Sequence, residues 1–170
     1  MNPSFNRPTQ AVILAGGRGA RLAPITDFAP KPMVQFHGRP FLEYLIDLLR
    51  EQGFKRVLLL LGYRAEAIVD HFGDGSRFDI EITYSVSPPE TETGKRVKLA
   101  LAHLEPLFLL LYCDNYWPMP FADMWRRYQS HEASTMVTVF SNEDASTRDN
   151  LRIGKDGLVE IYDKSRLTPD

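Results

Sequence analysis

The hydrophobic residues of the chain are concentrated in short, unbroken runs that alternate with segments of helical period. Apolar runs lie at Ala11–Ala15, Val57–Leu61, Leu107–Cys113 and Met136–Phe140, and Ile80–Ser85 has the pattern of a further strand. Continuous apolar runs of this length are typical of strands that are covered on both faces. Helical segments between such strands indicate crossover connections. The pattern therefore predicts an α/β fold with a mainly parallel sheet flanked by helices.

Four segments between the strand candidates have the period of an amphipathic helix. The predicted helices are Phe41–Arg50, Ala65–His71, Lys95–Leu104 and Phe121–His131. Near the end of the chain the pattern changes, because Leu151–Ile153 and Leu158–Tyr162 flank a Lys-Asp-Gly turn signal. This arrangement predicts an antiparallel element at the end of the chain.

Length, composition and charge narrow the class of protein. The chain has 170 residues, 44% of them hydrophobic, which predicts one globular domain over residues 10–170 behind a flexible tail of residues 1–9. A formal net charge of −2 gives no overall attraction to nucleic acid or to anionic lipid. The single cysteine, Cys113, excludes an internal disulfide and agrees with a reducing compartment, so we expect a cytoplasmic location. No apolar run approaches the roughly 20 residues of a membrane-spanning helix.

A glycine-rich loop directly follows the first strand candidate. Gly16, Gly17 and Gly19 allow backbone N–H groups to approach an anion closely, because glycine has no Cβ. Arg21 and Lys31 follow within the same stretch, so this loop is cationic in a chain that is acidic overall. The glycines alone are compatible with a plain turn, but together with these cations they predict a bound polyphosphate.

The spacing within this loop excludes two common phosphate-binding motifs. A P-loop would end in Gly-Lys-Ser/Thr, and the dinucleotide fingerprint would have a third glycine where Leu22 stands.

A carboxylate follows the strand candidate Leu107–Cys113. Asp114 stands at the carboxyl end of this strand, where open α/β sheets bind their ligands. Magnesium takes one or two protein carboxylates together with substrate phosphates. Asp114 is therefore a candidate metal ligand, and the alternative is that it only caps the following turn.

The motifs around the glycine loop resemble those of a known family. Leu14-Ala-Gly-Gly-Arg-Gly-Ala-Arg-Leu-Ala-Pro-Ile-Thr, followed by Pro30-Lys-Pro-Met and Gly38-Arg-Pro, is similar to the signature of the sugar-1-phosphate nucleotidyltransferases, or NDP-sugar pyrophosphorylases. The resemblance implies a Rossmann-like, GT-A-like nucleotide-binding sheet and a Mg²⁺-dependent reaction. In that reaction a sugar-1-phosphate oxygen attacks the α-phosphorus of a nucleoside triphosphate and pyrophosphate leaves.

The resemblance also implies roles for individual residues. It places Arg21, Lys31 and Asp114 in catalysis, with Asp114 as metal ligand. It assigns nucleotide binding to Ala15, Gly16, Gly17, Gly19, Glu92, Thr93 and Gly94, the last three facing the nucleobase. It assigns sugar binding to Asn150, Asp163 and Lys164. The family normally supplies a second metal aspartate from a later strand, so the resemblance implies a catalytic domain truncated at its C-terminal end.

Three cations, Lys95, Arg96 and Lys98, stand at the start of a predicted helix, where they oppose the helix dipole. We expect them to be solvated or paired with Glu90 and Glu92. The alternative is that one of them contacts a substrate anion or a neighbouring subunit.

The favoured interpretation is guanylyl transfer to mannose- or heptose-1-phosphate. Thymidylyl, cytidylyl and uridylyl transfer to a hexose- or amino-sugar-1-phosphate stay open. Two further alternatives are a non-catalytic nucleotide-binding regulatory module and a transferase for a non-sugar phosphate such as choline phosphate. The expected partners are the NTP and the sugar-1-phosphate, with no nucleic acid and no membrane, and a homo-oligomer is left open.

Overall fold

The structure is a computed structural model that describes residues 7–141 and 150–163. It divides into two compact units, Met1–Glu132 and Ala133–Asp170. The strands of the first unit are β1 (Gln10–Ala15), β2 (Gln35–Phe36), β3 (Arg39–Pro40), β4 (Arg56–Leu61), β5 (Glu81–Val86) and β6 (Phe108–Tyr112). Its helices are α1 (Ile25–Phe28), α2 (Phe41–Glu51), α3 (Ala65–Phe72), α4 (Thr93–Leu99) and α5 (Phe121–Gln129). The second unit contains β7 (Leu151–Ile153) and β8 (Val159–Tyr162).

A four-stranded parallel sheet forms the centre of the first unit. The strand order is β5-β4-β1-β6, and β1 pairs in parallel with β4 on one side and with β6 on the other. Every residue of β1 is buried, as the unbroken apolar run predicts. The predicted parallel α/β sheet is therefore confirmed.

The helices cover the sheet through their apolar sides. In α2 the residues Leu42, Leu45, Ile46 and Leu49 are buried against the sheet. Gly53 lies just after the end of this helix, and its φ of +84° lets the N–H groups of Gly53 and Phe54 donate to the carbonyls of Arg50 and Leu49. Because glycine adopts this left-handed conformation without a Cβ clash, it terminates the helix at this point.

One predicted helix has different bounds in the structure. Instead of Lys95–Leu104, the α-helix is α4, and a 3-10 turn follows at Leu101–His103. The buried side chain of Gln10 accounts for the early end, because its Nε2 donates to the His103 carbonyl at 2.8 Å and its Oε1 accepts from Glu105 N at 2.9 Å. These contacts with β1 turn the chain toward β6.

The second unit contains the predicted antiparallel element. β7 and β8 pair as a hairpin, with Gly157 at φ +79° in the turn. The strand predicted at Met136–Phe140 is wrong, since residues 135–141 have no ladder partner among the described residues, and Phe140 is 69% exposed. An apolar run becomes a strand only when a neighbour completes its hydrogen bonds. Within the described ranges, no helix has both the length and the apolar character needed to span a bilayer.

Candidate functional site

The strand order places the candidate site at one edge of the sheet. After β1 the chain adds β4 and β5 on one side of β1, and then crosses to add β6 on the other side. Such a switch opens a crevice at the carboxyl ends of the two diverging strands, where α/β sheets bind ligands. The glycine loop follows β1 at this crevice, and Asp114 follows β6.

Two glycines give the glycine loop, Gly16–Gly19, its shape. The Gly16 carbonyl accepts a hydrogen bond from Tyr63 N at 3.1 Å, which joins the ends of β1 and β4. Gly19 has a φ of +66°, and its carbonyl accepts from Leu22 N at 2.9 Å and from the buried hydroxyl of Thr26 at 3.1 Å. The turn is therefore fixed by its own hydrogen bonds, while Gly17 is exposed.

Lys31 connects the glycine loop to Asp114. A Cβ built on Gly19 would lie 3.0 Å from Cβ of Lys31, so the loop packs directly on the lysine stem. Lys31 Nζ in turn donates to Asp114 Oδ2 at 2.5 Å, across 83 residues of sequence. The structure thus brings together three of the elements that the sequence nominates: the loop, the lysine and the aspartate.

The neighbour of Asp114, Cys113, is a buried thiol. Burial raises the pKa of Cys113 to about 12, and the charge of Asp114 adds to this effect. The thiol therefore stays protonated at neutral pH, and Cys113 is unsuited to act as a nucleophile.

The arginines of the loop lie on the exposed side of the site. Arg21 lies in the exposed 3-10 turn Ala20–Leu22 and, within the described residues, has no carboxylate at ion-pair distance. The Arg18 guanidinium lies 5.2 Å from the ring centre of Tyr63, and Arg64 lies 5.6 Å from the same ring. Arg64 also donates to the carbonyls of Asp27 and Phe28. Arg18 and Arg21 thus keep N–H donors available for an anion.

The proposed nucleobase residues lie where α4 begins. Glu92 precedes the helix, and Thr93 and Gly94 are its first two residues, all three exposed. Glu92 also lines a depression of about 310 Å³ together with Pro88, Glu90, Thr91 and Lys95.

Arg96 has surroundings that the sequence does not indicate. The expectation of a solvated or carboxylate-paired Arg96 is wrong, because the residue is 4% exposed and donates to backbone carbonyls and a hydroxyl. The one partial signal in the sequence is the spacing of four residues between Arg96 and the apolar Ala100, which places both on one face of a helix but does not show which oxygens surround the guanidinium. Lys95 and Lys98 are exposed as expected.

The predicted sugar-binding residues belong to the second unit. Asn150 and Asp163 flank the hairpin, and Asp163 N donates to the Asn150 carbonyl at 2.8 Å. Lys164 lies outside the described residues.

Comparison with known proteins identifies the family. The sequence pattern described as "Nucleotidyl transferase" matches residues 10–160. The chain is 34% identical over 155 residues to the D-glycero-alpha-D-manno-heptose 1-phosphate guanylyltransferase of Campylobacter jejuni, covering 91% of this chain and 68% of that enzyme. It is 28% identical over 163 residues to the UTP--glucose-1-phosphate uridylyltransferase AglF of Haloferax volcanii, covering 94% of this chain and 67% of that enzyme.

Solved structures agree with this result. The crystal structure of HddC from Yersinia pseudotuberculosis superposes with a TM-score of 0.74 at 27% identity, covering 91% of this chain and 69% of that chain. The same protein complexed with GMP-PN gives a TM-score of 0.63 at 31% identity, covering 70% and 53%. The chain thus spans about two thirds or less of these relatives, and it spans less than half of other curated relatives that it matches. The match over residues 10–160 shows that the chain belongs to the nucleotidyl transferase family.

Proposed function

We propose that this protein transfers a nucleotidyl group from an NTP to a sugar-1-phosphate, giving an NDP-sugar and pyrophosphate. The observation that carries the proposal is the contact of Lys31 with Asp114 beside the glycine loop, at the switch point of a parallel sheet. Family membership supports the reaction class. The site combines backbone amides for phosphates, cations for their charge and a carboxylate for a metal.

The roles follow from the bonds that the reaction makes and breaks. A sugar-phosphate oxygen bonds to the α-phosphorus, and the bond from this phosphorus to the bridging oxygen breaks, so that pyrophosphate leaves with the electron pair. Such chemistry requires mainly alignment and neutralisation of the phosphate oxygens. The amides of the glycine loop and the planar fork of Arg21 suit the triphosphate, and Lys31 supplies a point charge beside the transferring phosphate.

The chemistry of Asp114 fits a magnesium site of the kind that the substrate completes. One carboxylate oxygen bonds Lys31, and the other has no hydrogen-bond partner among the described residues. No group of three or more metal-ligating side chains converges in the described part of the chain. A magnesium ion is typically held by one or two carboxylates plus substrate phosphates, which matches this donor set. When bound, Mg²⁺ would neutralise charge on the phosphate oxygens.

The favoured substrates are GTP and a manno-configured sugar-1-phosphate, either mannose- or heptose-1-phosphate. Similarity to the Campylobacter guanylyltransferase and to a Yersinia protein solved with GMP-PN supports this choice. Similarity to the Haloferax enzyme, which its name describes as a uridylyltransferase, favours UTP as the second candidate. We assign the nucleobase to Glu92, Thr93 and Gly94, and the sugar to Asn150, Asp163 and Lys164. The proposal includes a cytoplasmic location.

The test is pyrophosphate release by the protein with Mg²⁺, each of the four NTPs and dTTP in turn, and a panel of sugar-1-phosphates. We expect release to require both substrates, to be fastest with GTP and mannose- or heptose-1-phosphate, and to be lost in Asp114→Asn. NTP binding without release from any pair would instead identify a regulatory module. Release only with a non-sugar phosphate such as choline phosphate would overturn the sugar assignment.

A further inference from the structure

Arg96 is the one lysine or arginine that is buried among the described residues, with 4% of the residue exposed. Its two terminal nitrogens contact oxygen atoms of five residues, all of them neutral. Nη1 donates to the Leu61 carbonyl, to Ser87 Oγ at 2.7 Å and to the Ser87 carbonyl at 3.4 Å. Nη2 donates to the carbonyls of Pro88 at 3.0 Å, Pro89 at 3.3 Å and Thr91 at 3.2 Å. Burial lowers the pKa of Arg96 and the charge of Glu90 opposes this effect, but a guanidinium remains protonated.

These acceptors come from separate parts of the fold. Leu61 is the last residue of β4, and Ser87, Pro88, Pro89 and Thr91 form the loop between β5 and α4. Arg96 itself lies in α4 and therefore connects this helix to the preceding loop and to the neighbouring strand. Within the described ranges, the other hydrogen bonds from the amides of this loop are those of Ser87 N to the Leu61 carbonyl at 3.1 Å and of Thr91 N to the Pro88 carbonyl at 2.9 Å.

The same guanidinium also packs against the glycine loop. A Cβ built on Gly16 would overlap the guanidinium group, and a Cβ on Gly62 would lie 2.9 Å from Nη1 and 2.5 Å from the Gly16 carbonyl oxygen. Glycine at both positions leaves room for the side chain of Arg96. The group thus fills the space between the ends of β1 and β4 and contacts both the glycine loop and the loop of residues 87–91.

We propose that Arg96 is a positioning residue that holds the Ser87–Thr91 loop against the glycine loop before the nucleotide binds. The inference rests on the proposed function, because the glycine loop is assigned there to the triphosphate and Glu92–Gly94 to the nucleobase. A loop that is already ordered loses less conformational freedom on binding, so the interaction favours affinity. The planar guanidinium is essential, because a lysine side chain has a single nitrogen and cannot donate to both Leu61 and Thr91.

The first experiment measures order in the absence of nucleotide. Amide hydrogen exchange of Ser87 and Thr91, the two residues of the loop whose N–H groups are hydrogen-bonded, is compared in wild type, Arg96→Gln, Arg96→Lys and Lys98→Gln, the last removing an exposed cation from the same helix. We expect exchange to rise at least 10-fold in both Arg96 variants and to stay within 2-fold of wild type in Lys98→Gln. Unchanged exchange in Arg96→Gln would overturn the proposal.

The second experiment separates positioning from general destabilisation. The Kd of a non-hydrolysable GTP analogue is measured by calorimetry, and kcat for pyrophosphate release is measured at saturation. We expect Arg96→Gln and Arg96→Lys to raise Kd at least 10-fold while kcat falls less than 3-fold. If Arg96→Lys has the wild-type Kd, the positive charge rather than the planar guanidinium carries the effect, and the proposal is wrong. An unchanged Kd in both variants also overturns it.

A milder variant covers the case in which the Arg96 variants do not fold. Ser87→Ala removes one acceptor of Nη1, and we expect a 2- to 5-fold rise in Kd with kcat unchanged; no rise would then overturn the proposal. If the wild-type protein binds no nucleotide, the proposed function fails, and the exchange measurement still decides whether Arg96 orders the loop.

Discussion

Lys31 and Arg96 both place a positive charge at the carboxyl edge of the same sheet, but in contrasting surroundings. The Lys31 side chain is 27% exposed and pairs with the carboxylate of Asp114, whereas Arg96 is 4% exposed and bonds only neutral oxygens. An exposed ion pair contributes about 0–1 kcal/mol to folding. A hydrogen bond from a charged group contributes about 1.5–3 kcal/mol, and leaving a buried acceptor such as the Leu61 carbonyl unpaired costs about 1–3 kcal/mol.

The contrast indicates that the two cations have different roles. We expect Lys31 to contribute little to folding, and under the proposed function a substrate phosphate would replace Asp114 as its partner. Arg96 cannot leave its carbonyl acceptors without loosening the Ser87–Thr91 loop, so it acts on the shape of the site. We therefore expect replacement of Lys31 to lower turnover more than stability, and replacement of Arg96 to lower stability more than turnover.

The largest expected effect is on turnover in Lys31→Met. We expect the rate of pyrophosphate release to fall by about 10²–10³-fold, the range for removal of one preorganised electrostatic group. The free energy of unfolding, measured with urea, should change by less than about 1 kcal/mol. Lys55→Met, at an exposed position before β4, is the matched control and should alter neither quantity. A loss of stability as large as that in Arg96→Gln would contradict the division between the two cations.

The next effect concerns the fit of Arg96 against Gly16. Gly16→Ala should cost about 1–3 kcal/mol of unfolding free energy, because the added methyl overlaps the pinned guanidinium. Gly17→Ala, where a Cβ meets no atom within 4 Å, should cost much less. Combining Gly16→Ala with Arg96→Ala tests the contact directly, since the methyl then has space. Strict additivity of the two single changes would show that the crowding is absent in solution.

The two cations also differ in how far the sequence predicts them. The glycine loop, Lys31 and Asp114 follow buried strands directly, so local patterns are enough to nominate them. The burial of Arg96 depends on carbonyls from Leu61 and from residues 87–91, and no local pattern shows where these oxygens point. The strand predicted at Met136–Phe140 is wrong for a similar reason, because pairing depends on a neighbour. Long-range contacts with neutral backbone atoms are the part that composition and periodicity do not reveal.

A smaller effect tests the packing of the glycine loop on Lys31. Gly19→Ala should cost about 1–2 kcal/mol, because a residue with a Cβ resists the left-handed conformation. Gly38 has a similar φ of +78° but open space around it, so Gly38→Ala measures the backbone cost alone. We expect Gly19→Ala to be the more destabilising and to lower kcat as well, since the methyl presses on Lys31 Cβ. Equal effects on unfolding would mean that the loop yields without displacing Lys31.

The smallest effect concerns an ion pair away from this edge, where α2 meets α3. Glu43 bonds Arg39 Nε and His71 Nε2, both at 2.7 Å. Burial raises the pKa of Glu43, but the hydrogen bonds from Arg39 and His71 outweigh it, so the pKa lies below its ordinary value. Because the folded pKa is depressed, the stabilisation is complete above the unfolded pKa of about 4.3 and is lost as pH falls through the folded value.

Glu43→Gln should therefore weaken the fall in unfolding free energy at acid pH. We would measure it by urea unfolding from about pH 3 to about pH 6, a range that includes the ordinary carboxyl pKa. The expected loss at neutral pH is less than about 1 kcal/mol, because the pair is partly solvated. Glu51→Gln, at an exposed position on the same helix, should leave this fall at acid pH unchanged. Neither substitution should alter Kd for nucleotide, since the Glu43 pair joins two helices and makes no contact with the glycine loop among the described residues. A shift in Kd would mean that the site depends on the helix layer as well as on Lys31 and Arg96.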